Sequence, residues 1–451
     1  MKIIIVGCGK VGATLAEQLD HEGHEITLID HKAAAIHNIT DTLDVLGVIG
    51  NGASYNIQMT AGIEDADLLI AVTGSDELNL LCCLIAKKAG NCHTIARIRN
   101  PQYNKEIEFI KEEMGLSMVI NPELATAADI ARFLRLPSAI KIDSFAKGKV
   151  ELLKLKIPEA SNLHKMQIKD IPDQLHCNIL VCAIERGTDV IIPSGSDTIH
   201  SGDKISIVAS PKQASDFFRK IGILTQPIRN VMLVGGSTIC VYLTQKFIDT
   251  GVSVKIIEQS FERCEQLSEM LPDAMIIHAN ASENNVLLEE GIEKVDAFVA
   301  LTNIDEENVL LSLYANKVTK AKLFTKITHS NYDDIIEEMP LGTIIKPKMI
   351  TSERIVQHVR AMQNPKGSNV ETLYKIIENK AEALEFRVRD SSRLIGIPLA
   401  KLSIRPNLLV SCISRNNQII IPNGQVSLEE GDSVIVVTTD TGLNDLNDIL
   451  A

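Results

Sequence analysis

The sequence predicts an α/β protein in which two doubly wound parallel sheets occur in tandem, each followed by a small α+β module. Three observations carry this prediction. The chain opens on a glycine-rich strand, helix and strand; this unit recurs near the middle of the 451 residues; and the segment after each predicted sheet is rich in short strands and turns. A chain with this pattern is a duplicated protein with four folding units.

The first thirty residues form the unit on which the prediction depends. An apolar run at residues 2–6 leads into Gly7-Cys-Gly-Lys-Val-Gly12, and an amphipathic helix through Leu15 and Leu19 follows. A second apolar strand, residues 26–29, ends at Asp30. This order of strand, G-x-G-x-x-G loop, helix, strand and acid is typical of a Rossmann-like dinucleotide-binding unit.

Each glycine of this loop has its own physical role. Gly7 permits the tight turn after the strand, Gly9 lets the backbone approach a pyrophosphate, and Gly12 allows the helix to pack closely on the sheet. The N–H groups that begin the helix then face the phosphates. Asp30 can accept hydrogen bonds from ribose hydroxyls but would repel a 2′-phosphate. The sequence therefore favours NAD(H) or an adenine nucleotide over NADP.

The rest of the first half alternates strands with helices, as a doubly wound parallel sheet requires. Apolar runs predict strands at residues 43–49, 68–72, 94–98 and 118–120. Asn121-Pro122 ends the last strand, and residues 125–136 predict a helix with one apolar face. Ile130, Phe133 and Leu134 on that face could pack within the chain or against another subunit.

The second half repeats the first at a nearly constant spacing. At 228 or 229 residues apart, the matched pairs are Gly7 and Gly235, Asp30 and Glu258, Asn51 and Asn280, Thr73 and Thr302, and Arg97 and Lys326. So many matched polar positions in one register indicate a duplicated chain.

Beyond each sheet the sequence predicts a smaller module built mainly of short strands. In the first module these strands are residues 149–157, 179–185, 190–193 and 204–209, and in the second they are residues 382–388, 408–414, 419–422 and 433–438. Ile-Pro and Gly-Asp pairs recur at matching positions of the two modules. The predicted domains are 1–136 and 226–363 for the sheets, and 137–225 and 364–451 for the modules, with linkers at Pro137 and residues 364–367.

Composition excludes several classes of function. Hydrophobic residues make up 45% of the chain and charged residues 23%, as in soluble globular proteins. No apolar run approaches the roughly 18 residues that a membrane-spanning helix needs. A net charge of −13 without a basic segment argues against a nucleic-acid partner. Nine cysteines without a C-x-x-C pair argue against a metal site or a disulfide framework. We therefore expect a cytoplasmic protein.

The combined motifs resemble the TrkA family of regulators of potassium uptake, whose chains are built of RCK (regulator of potassium conductance) units. The motifs that carry the resemblance are the glycine loop with Asp30, the Gly50-Asn51-Gly52 turn, Thr73-x-x-Asp76-Glu77-x-Asn79, the strand end at Arg97 and the Asn121-Pro122-Glu123 turn, in a tandem arrangement. The resemblance extends over essentially the whole chain, and it implies a regulator rather than an enzyme.

What the resemblance implies is a ring of RCK units beneath a TrkH-type membrane potassium channel or transporter. Such units bind NAD(H) or ATP/ADP and transmit a change in ring shape to the pore. A nucleotide can control the pore only through the difference between its affinities for two ring shapes. Two units per chain imply a homotetramer, peripheral to the inner face of the membrane through its partner, with a ring of eight RCK units.

Carried over residue by residue, the resemblance assigns the nucleotide site to the first half. The cofactor-binding candidates there are Gly7, Cys8, Gly9, Lys10, Val11, Gly12, Asp30, Asn51, Thr73, Gly74 and Arg97. Asn51 departs from the aspartate that family members often have, which leaves its contact open. Lys10 could reach phosphate or be an idle surface lysine, and Arg97 could clamp a pyrophosphate or form only a surface ion pair. Glu123 could contact a ligand or a neighbouring subunit.

The second half departs from the glycine pattern. Ser237 replaces the middle glycine and Cys240 the third, so side-chain atoms intrude on the pyrophosphate path and on helix packing. Glu258 is the cofactor-binding candidate that remains, with Lys326 as a second candidate contact. A structural, pseudo-symmetric role is the favoured interpretation of this half.

Other functions compete with this interpretation. An NAD-dependent oxidoreductase would need a proton donor or acceptor near the nicotinamide and a substrate domain, so we assign no catalytic residue. A redox-sensing repressor would need a DNA-reading helix and a basic surface. Regulation of another cation transporter, such as a potassium/proton antiporter, is not separated from the Trk interpretation by the sequence, because the pore belongs to another chain.

Overall fold

The computed structural model describes all residues except 91, 105, 136–140, 146–149, 160, 188, 223–227, 284, 329–332, 363–369, 378–379, 391, 417, 441–442, 444 and 451. The predicted linkers at Pro137 and residues 364–367, and the predicted domain boundaries, lie outside the described residues. By its internal contacts the chain forms two compact units. One contains Met1–Leu134 and Ile228–Val356, and the other contains Arg135–Pro227 and Gln357–Ala451.

The first unit begins with a six-stranded parallel sheet in the order β3-β2-β1-β4-β5-β6. The strands are β1 (Lys2–Val6), β2 (Glu25–Asp30), β3 (Leu46–Ile49), β4 (Leu68–Ala71), β5 (His93–Arg97) and β6 (Met118–Ile120). The helices are α1 (Lys10–His21), α2 (Ala33–Thr40), α3 (Tyr55–Thr60), α4 (Asp76–Ala89), α5 (Pro101–Asn104), α6 (Ile107–Glu113) and α7 (Pro122–Arg135). Strand β4 is buried along its whole length, as expected where helices cover both faces of a parallel sheet.

The same unit contains a second six-stranded parallel sheet, which is formed by the second half of the chain. Its strands are β12 (Asn230–Val234), β13 (Ser253–Glu258), β14 (Met275–His278), β15 (Ala297–Ala300), β16 (Lys322–Lys326) and β17 (Thr343–Ile345). Its helices are α10 (Thr238–Ile248), α11 (Phe261–Met270), α12 (Val286–Glu289), α13 (Asp305–Val318), α14 (Asp333–Glu338) and α15 (Pro347–Met362). The order β14-β13-β12-β15-β16-β17 reproduces that of the first sheet.

Helix α7 joins the two sheets through a shared core. Its residues Ala127, Ile130 and Leu134 are buried in a cluster that otherwise consists of second-half residues, among them Val231 and Phe324. The apolar face of this helix therefore packs within the chain, one of the two arrangements that the sequence left open.

Helix α7 begins at Pro122, earlier than predicted. Proline is favoured in the first turn of a helix, where its missing N–H costs no hydrogen bond. The side chain of Asn121 supplies the cap, because its Oδ1 accepts a hydrogen bond from the Leu124 N–H at 2.9 Å. Helix α15 likewise begins at a proline, Pro347, two residues after the end of a strand.

The second unit contains the two small modules, each with a five-stranded antiparallel sheet. In the first module the strands are β7 (Lys141–Phe145), β8 (Val150–Lys156), β9 (Leu180–Arg186), β10 (Asp189–Ile191) and β11 (Lys204–Ala209), and the helices are α8 (Ile171–Leu175) and α9 (Pro211–Lys220). In the second module the strands are β18 (Val370–Ile377), β19 (Ala381–Arg387), β20 (Leu408–Arg415), β21 (Gln418–Ile420) and β22 (Ser433–Thr438). Their orders are β10-β9-β11-β8-β7 and β18-β19-β22-β20-β21.

The fifth strand of each module, β7 and β18, is an edge strand that the sequence did not predict. Strand β7 pairs only with β8, and β18 pairs only with β19, among the described residues. Both strands begin a few residues after a segment that the sequence predicts as a linker. The remaining four strands of each module lie where the sequence predicts them, within a few residues.

The repeated Gly-Asp pair of the modules locks a turn to a strand. The Asp203 carboxylate accepts hydrogen bonds from Nε and Nη2 of Arg186 at 3.0 and 2.8 Å. In the second module the Asp432 carboxylate accepts the same pair of bonds from Arg415 at 2.9 and 2.8 Å. Such two-point contacts between a guanidinium and a carboxylate fix both distance and orientation. The pair is therefore structural in both modules.

All nine cysteines are described, and all are buried free thiols. They act as small apolar residues of the cores, as the sequence predicts. Within the described part of the chain, no helix combines the length and the hydropathy that a membrane span requires.

Candidate nucleotide-binding site

Two glycines of the first loop are required by close backbone contacts. Gly7 has a φ of +103°, and a Cβ there would lie 2.9 Å from the Thr73 nitrogen. A Cβ on Gly12 would lie only 1.9 Å from the Gly7 carbonyl oxygen. The third glycine of the motif thus permits the start of α1 to approach the turn itself, in addition to the sheet.

Gly9 is required for a different reason. A Cβ at this position would have no protein atom within 4 Å, so the protein leaves open space in front of it. Gly9 is also the N-cap of α1, and no side chain there accepts a hydrogen bond from the first N–H groups of the helix. The start of α1 is therefore open to a ligand's anionic group, which helix N-termini favour.

Asp30 holds the glycine loop in place. Its Oδ2 accepts a hydrogen bond from the Cys8 N–H at 2.7 Å, and its Oδ1 accepts one from the Lys32 N–H at 2.9 Å. His31 Nδ1 also lies 3.2 Å from Oδ1 of Asp30. An ionised carboxylate can accept about four hydrogen bonds, so at least one acceptor position remains for a ribose hydroxyl. Burial, together with the Asp30 charge, raises the pKa of Cys8 to about 12, so the Cys8 thiol stays protonated beside the loop.

The loop opens into a cavity of about 1050 Å³, which we call the first cleft. The first-half candidates that line it are Gly7, Cys8, Gly9, Lys10, Val11, Asp30, Asn51, Thr73, Gly74 and Arg97. Gly12 lies behind the loop and does not line the cavity. The structure thus brings to one place ten candidates that the sequence spreads over ninety positions.

Two of these residues also hold their own loops. Asn51 Oδ1 accepts a hydrogen bond from the Ala53 N–H at 3.0 Å, which closes a turn after β3. Thr73 donates from both its N–H and its hydroxyl to Oδ1 of Asn79, at 2.8 and 2.7 Å. These contacts leave the strand ends fixed around the cleft, as ligand sites of open α/β sheets require.

Arg97 and Glu123 face each other at the far end of the cleft. Arg97 Nη2 lies 3.8 Å from Glu123 Oε1, and the Arg97 side chain is 16% exposed. Burial, reinforced by nearby Arg99, lowers the pKa of Arg97 even though Glu123 opposes this. Burial likewise raises the pKa of Glu123. Arg97 is therefore part of a cavity wall and not of a surface ion pair.

Family models match the chain as two TrkA-N domains, residues 3–122 and 231–347, and two TrkA-C domains, residues 152–222 and 383–451. The chain belongs to the TrkA family. The matched ranges cover most of the sequence, and each TrkA-N domain corresponds to one parallel sheet while each TrkA-C domain corresponds to one small module. The resemblance inferred from the motifs is thereby confirmed.

Named TrkA relatives match over nearly their full length. Trk system potassium uptake protein TrkA homolog 2 from Methanosarcina mazei is 33% identical over 445 residues, 97% of each protein. Trk system potassium uptake protein TrkA from Haemophilus influenzae is 30% identical over 446 residues, which cover 98% of this chain and 96% of that protein.

Solved structures confirm the predicted fold class. The GsuK channel bound to NAD matches with a TM-score of 0.64 at 14% identity, covering 97% of this chain and 76% of that one. The crystal structure of the GsuK RCK domain matches with the same TM-score and covers 97% of this chain and 92% of that one. At this identity the likeness concerns the fold, a tandem of Rossmann-like sheets with small modules.

In this TrkA chain the second half contributes to the wall of the first cleft. The lining includes Ile239, Asn303, Lys326, Thr328 and Lys348 from the second sheet and its loops. Sequence reasoning assigned none of these residues to the first cleft, because a repeat shows which positions are equivalent and not which ones touch. The pairing of Lys326 with Arg97 in the alignment of the halves was the one available signal.

The second glycine loop is occupied by the protein's own groups. Ser237 is the N-cap of α10, and its Oγ accepts a hydrogen bond from the Cys240 N–H at 3.4 Å. Arg263 Nε donates to the Gly236 carbonyl oxygen at 2.7 Å. Glu258 Oε2 accepts a hydrogen bond from the Gly236 N–H at 2.6 Å, as Asp30 does for Cys8 in the first half. The cavity beside this loop, the second cleft, has a volume of about 580 Å³.

Arg263 distinguishes the two clefts, and the sequence gives little sign of it. The position 228 residues earlier is Ala35, a small side chain that lines the first cleft. In the second cleft the guanidinium takes the corresponding place beside the loop. The difference between Ala35 and Arg263 matters because α11 places the Arg263 side chain against the second glycine loop.

Proposed function

We propose that this chain is the regulatory, gating subunit of a Trk-type potassium uptake system, and that NAD(H) or ATP/ADP in the first cleft is its signal. The observation that carries the proposal is an open glycine loop, with space in front of Gly9 and an acid at position 30, in a chain of the TrkA family. The partner proposed is a TrkH-type membrane channel or transporter, contacted from its cytoplasmic side.

The residues of the first cleft suit a bound nucleotide. The N–H groups at the start of α1 and the side chain of Lys10 would face the phosphates, and Asp30 would accept the ribose hydroxyls. A dinucleotide would bring a redox-active nicotinamide, but the far wall offers charged groups that bind rather than react. Arg97 and Glu123 already face each other there, and the Cys8 thiol stays protonated. We therefore propose a signal and not a substrate.

The arrangement of the cleft explains how a signal could act. Its walls come from both sheets of the first unit, so a ligand that touches both favours the arrangement in which both walls reach it. The free energy available for gating is the difference between the ligand's affinities for two arrangements. We propose that four chains assemble these units into a ring of eight, and that the ring transmits the change to the pore.

Two other functions remain as outcomes of the tests. An NAD-dependent oxidoreductase would consume the nicotinamide, whereas a regulator only binds it. A regulator of a potassium/proton antiporter would bind nucleotide in the same cleft but copurify with a different membrane protein. The names of the relatives favour the Trk system.

The first test is calorimetric titration of the full chain with NADH and with ATP. Asp30→Ala should lower the affinity for NADH and for ATP by at least about tenfold, because the support of the loop and the ribose contacts are lost together. The matched variant Glu258→Ala removes the equivalent acid of the second cleft, where we propose at most a weaker contact. It should change the tight affinity by less than about twofold. Unchanged affinity in Asp30→Ala would refute the assigned site.

The second test measures function. Potassium flux through vesicles that hold the TrkH-type partner should respond to nucleotide with the unaltered chain and fail to respond with Asp30→Ala. Steady consumption of NADH by the purified chain, with no partner present, would instead identify an enzyme. Copurification from membranes with an antiporter would redirect the proposal to that transporter.

A further inference from the structure

Lys326 is an unusually buried lysine at the end of strand β16. It is 6% exposed, and it lines both the first and the second cleft. Its Nζ lies 3.3 Å from the Leu301 carbonyl oxygen and 3.5 Å from Oδ1 of Asn303, both long contacts with neutral acceptors. Lysine is almost never fully buried unless it is paired with an opposite charge. Its position therefore requires an explanation beyond packing.

No neighbouring carboxylate neutralises the positive charge of Lys326 by direct contact among the described residues. Among the described residues, no carboxylate oxygen forms a salt bridge with it. Burial lowers the pKa of Lys326, and the charge of Lys10 in the first glycine loop lowers it further, while Asp305 and Glu123 oppose this. Lys10 belongs to the first glycine loop and also lines the first cleft, so residues of both halves contribute positive charge to one cavity.

Arg97 shows the same deficit on the opposite wall. Its Nε is buried and has no hydrogen-bond partner among the described residues. The Glu123 carboxylate stands at 3.8 Å, beyond hydrogen-bond distance, and Asp76 acts on Arg97 only through its charge. Three cationic side chains, Lys10, Arg97 and Lys326, thus line one cleft, and Asp30 already accepts two backbone hydrogen bonds there. An anion with several charges would balance this positive charge and would supply Arg97 and Lys326 with charged acceptors.

We infer that Lys326 binds the anionic end of the nucleotide held in the first cleft, so that the second half of the chain completes the site of the first half and selects for ligand charge. The inference rests on the proposed function and adds to it. The glycine loop would hold the phosphates nearest the ribose, and the phosphates farther along would approach Lys326. Affinity should therefore rise from AMP to ADP to ATP, and the increase should depend on Lys326.

The experiment is calorimetric titration of the full chain with AMP, ADP and ATP at one ionic strength and one magnesium concentration. Lys326→Met should lower the affinity for ATP by about tenfold or more, because a hydrogen bond between charged groups is lost. It should lower the affinity for ADP by less, and that for AMP by less than about twofold. Lys326→Arg should retain most of the ATP affinity. Lys320→Met, which removes an exposed charge from the same half, should bind all three like the unaltered chain.

Thermal unfolding of each variant separates binding from folding, and Lys326→Gln serves as the second variant if the methionine protein is unstable. Equal ATP affinity in Lys326→Met and in the unaltered chain would overturn the inference. So would an equal loss for AMP and ATP, because that pattern belongs to a structural residue. Absence of any nucleotide binding by the unaltered chain would overturn the proposed function, and the inference with it.

Discussion

The hydroxyl of Tyr242 lies 3.1 Å from Nδ2 of Asn121, so a partly buried hydrogen bond joins the two halves of the chain. The same hydroxyl donates to the Arg99 carbonyl oxygen at 3.2 Å. Asn121 immediately precedes α7, and Arg99 follows β5 at the edge of the first cleft. Tyr242 is 3% exposed, and burial raises its pKa. The contact therefore fixes the second sheet to the rim of the first cleft.

Tyr242→Phe should destabilise the protein by about 1–2 kcal/mol, because the Asn121 amide and the Arg99 carbonyl lose their buried partner. Urea unfolding at neutral pH measures the change. Tyr55→Phe is the matched control, since Tyr55 is 56% exposed, and it should change stability by less than about 0.5 kcal/mol. Equal stability of the two variants would show that the shared hydrogen bond contributes nothing.

Gly9→Val should abolish nucleotide binding and leave folding intact. The backbone of Gly9 is extended, with φ −73° and ψ −171°, which a β-branched residue adopts readily. A Cβ there would have no protein atom within 4 Å, and Gly9 lines the first cleft, so the larger side chain would take up ligand space. We expect a loss of at least about tenfold in affinity for NADH and ATP, with a melting temperature only a few degrees lower, because valine is a poorer N-cap than glycine. Retained affinity would place the phosphates elsewhere.

Gly12→Ala should give the opposite result at a position three residues away. The added Cβ would lie 1.9 Å from the Gly7 carbonyl oxygen, so the helix or the turn must move. We expect a destabilisation of about 2 kcal/mol, as overpacking of a tight contact usually costs. Differential scanning calorimetry of the two glycine variants, side by side, measures this contrast. A Gly12→Ala protein as stable as Gly9→Val would contradict the close approach of α1 to the turn.

Asp203 should make the first small module sensitive to acid. Burial alone would raise the pKa of the Asp203 carboxyl. The hydrogen bonds from Arg186 and from the His200 N–H outweigh burial, so the pKa of Asp203 is lowered. A carboxyl whose pKa is lower in the folded state contributes stability above the unfolded pKa of about 3.9, and this is lost as the pH falls through the folded value.

Asp203→Asn should therefore destabilise the protein by about 1–3 kcal/mol at neutral pH, and the difference from the unaltered protein should shrink below about pH 4. Thermal unfolding from pH 7 down to pH 3 measures it. Asp189→Asn, at an exposed position of β10, should give a curve parallel to that of the unaltered protein. A difference that stays constant with pH would exclude a role for the Asp203 charge.

Lys322 should make stability rise with pH in the alkaline range. Burial lowers the pKa of Lys322 to about 8, and its Nζ donates to the Phe133 carbonyl oxygen of α7 at 3.1 Å. Between about pH 8 and the ordinary lysine value near 10.4, the unfolded chain binds the additional proton, so stability increases with pH.

Lys322→Met should remove this increase. After allowance for solvent screening, the unaltered protein should gain about 1 kcal/mol relative to the variant between pH 8 and pH 10. Urea unfolding across that range measures the gain, and Lys320→Met is the control in which the gain should persist. Parallel curves for Lys322→Met and the unaltered protein would mean that Lys322 titrates normally.

The first cleft could be predicted in large part because its chemistry depends on local spacing. Gly7, Gly9 and Asp30 are each specified by the order of strand, loop and helix, and the structure places them where that order implies. The sequence also identified the damaged second loop through Ser237. What it assigned to Asp30 was a ribose contact alone, whereas the structure adds support of the loop through the Cys8 N–H.

The parts that sequence reasoning missed depend on contacts between distant segments. Arg263 lies on α11 and acts on a loop twenty-seven residues away, which no local pattern signals. Lys326 reaches the first cleft only because the two sheets pack together.

Helix α7 belongs to the first half by covalent order but to the second half by its core. Because Ala127, Ile130 and Leu134 complete the interior around Val231, neither half is a self-sufficient fragment. If the two halves were produced as separate proteins, the apolar face of α7 would be exposed on the first. The core residues that this face covers would be exposed on the second. The two halves therefore evolve together, because a core substitution in one half must be compatible with the side chains of the other.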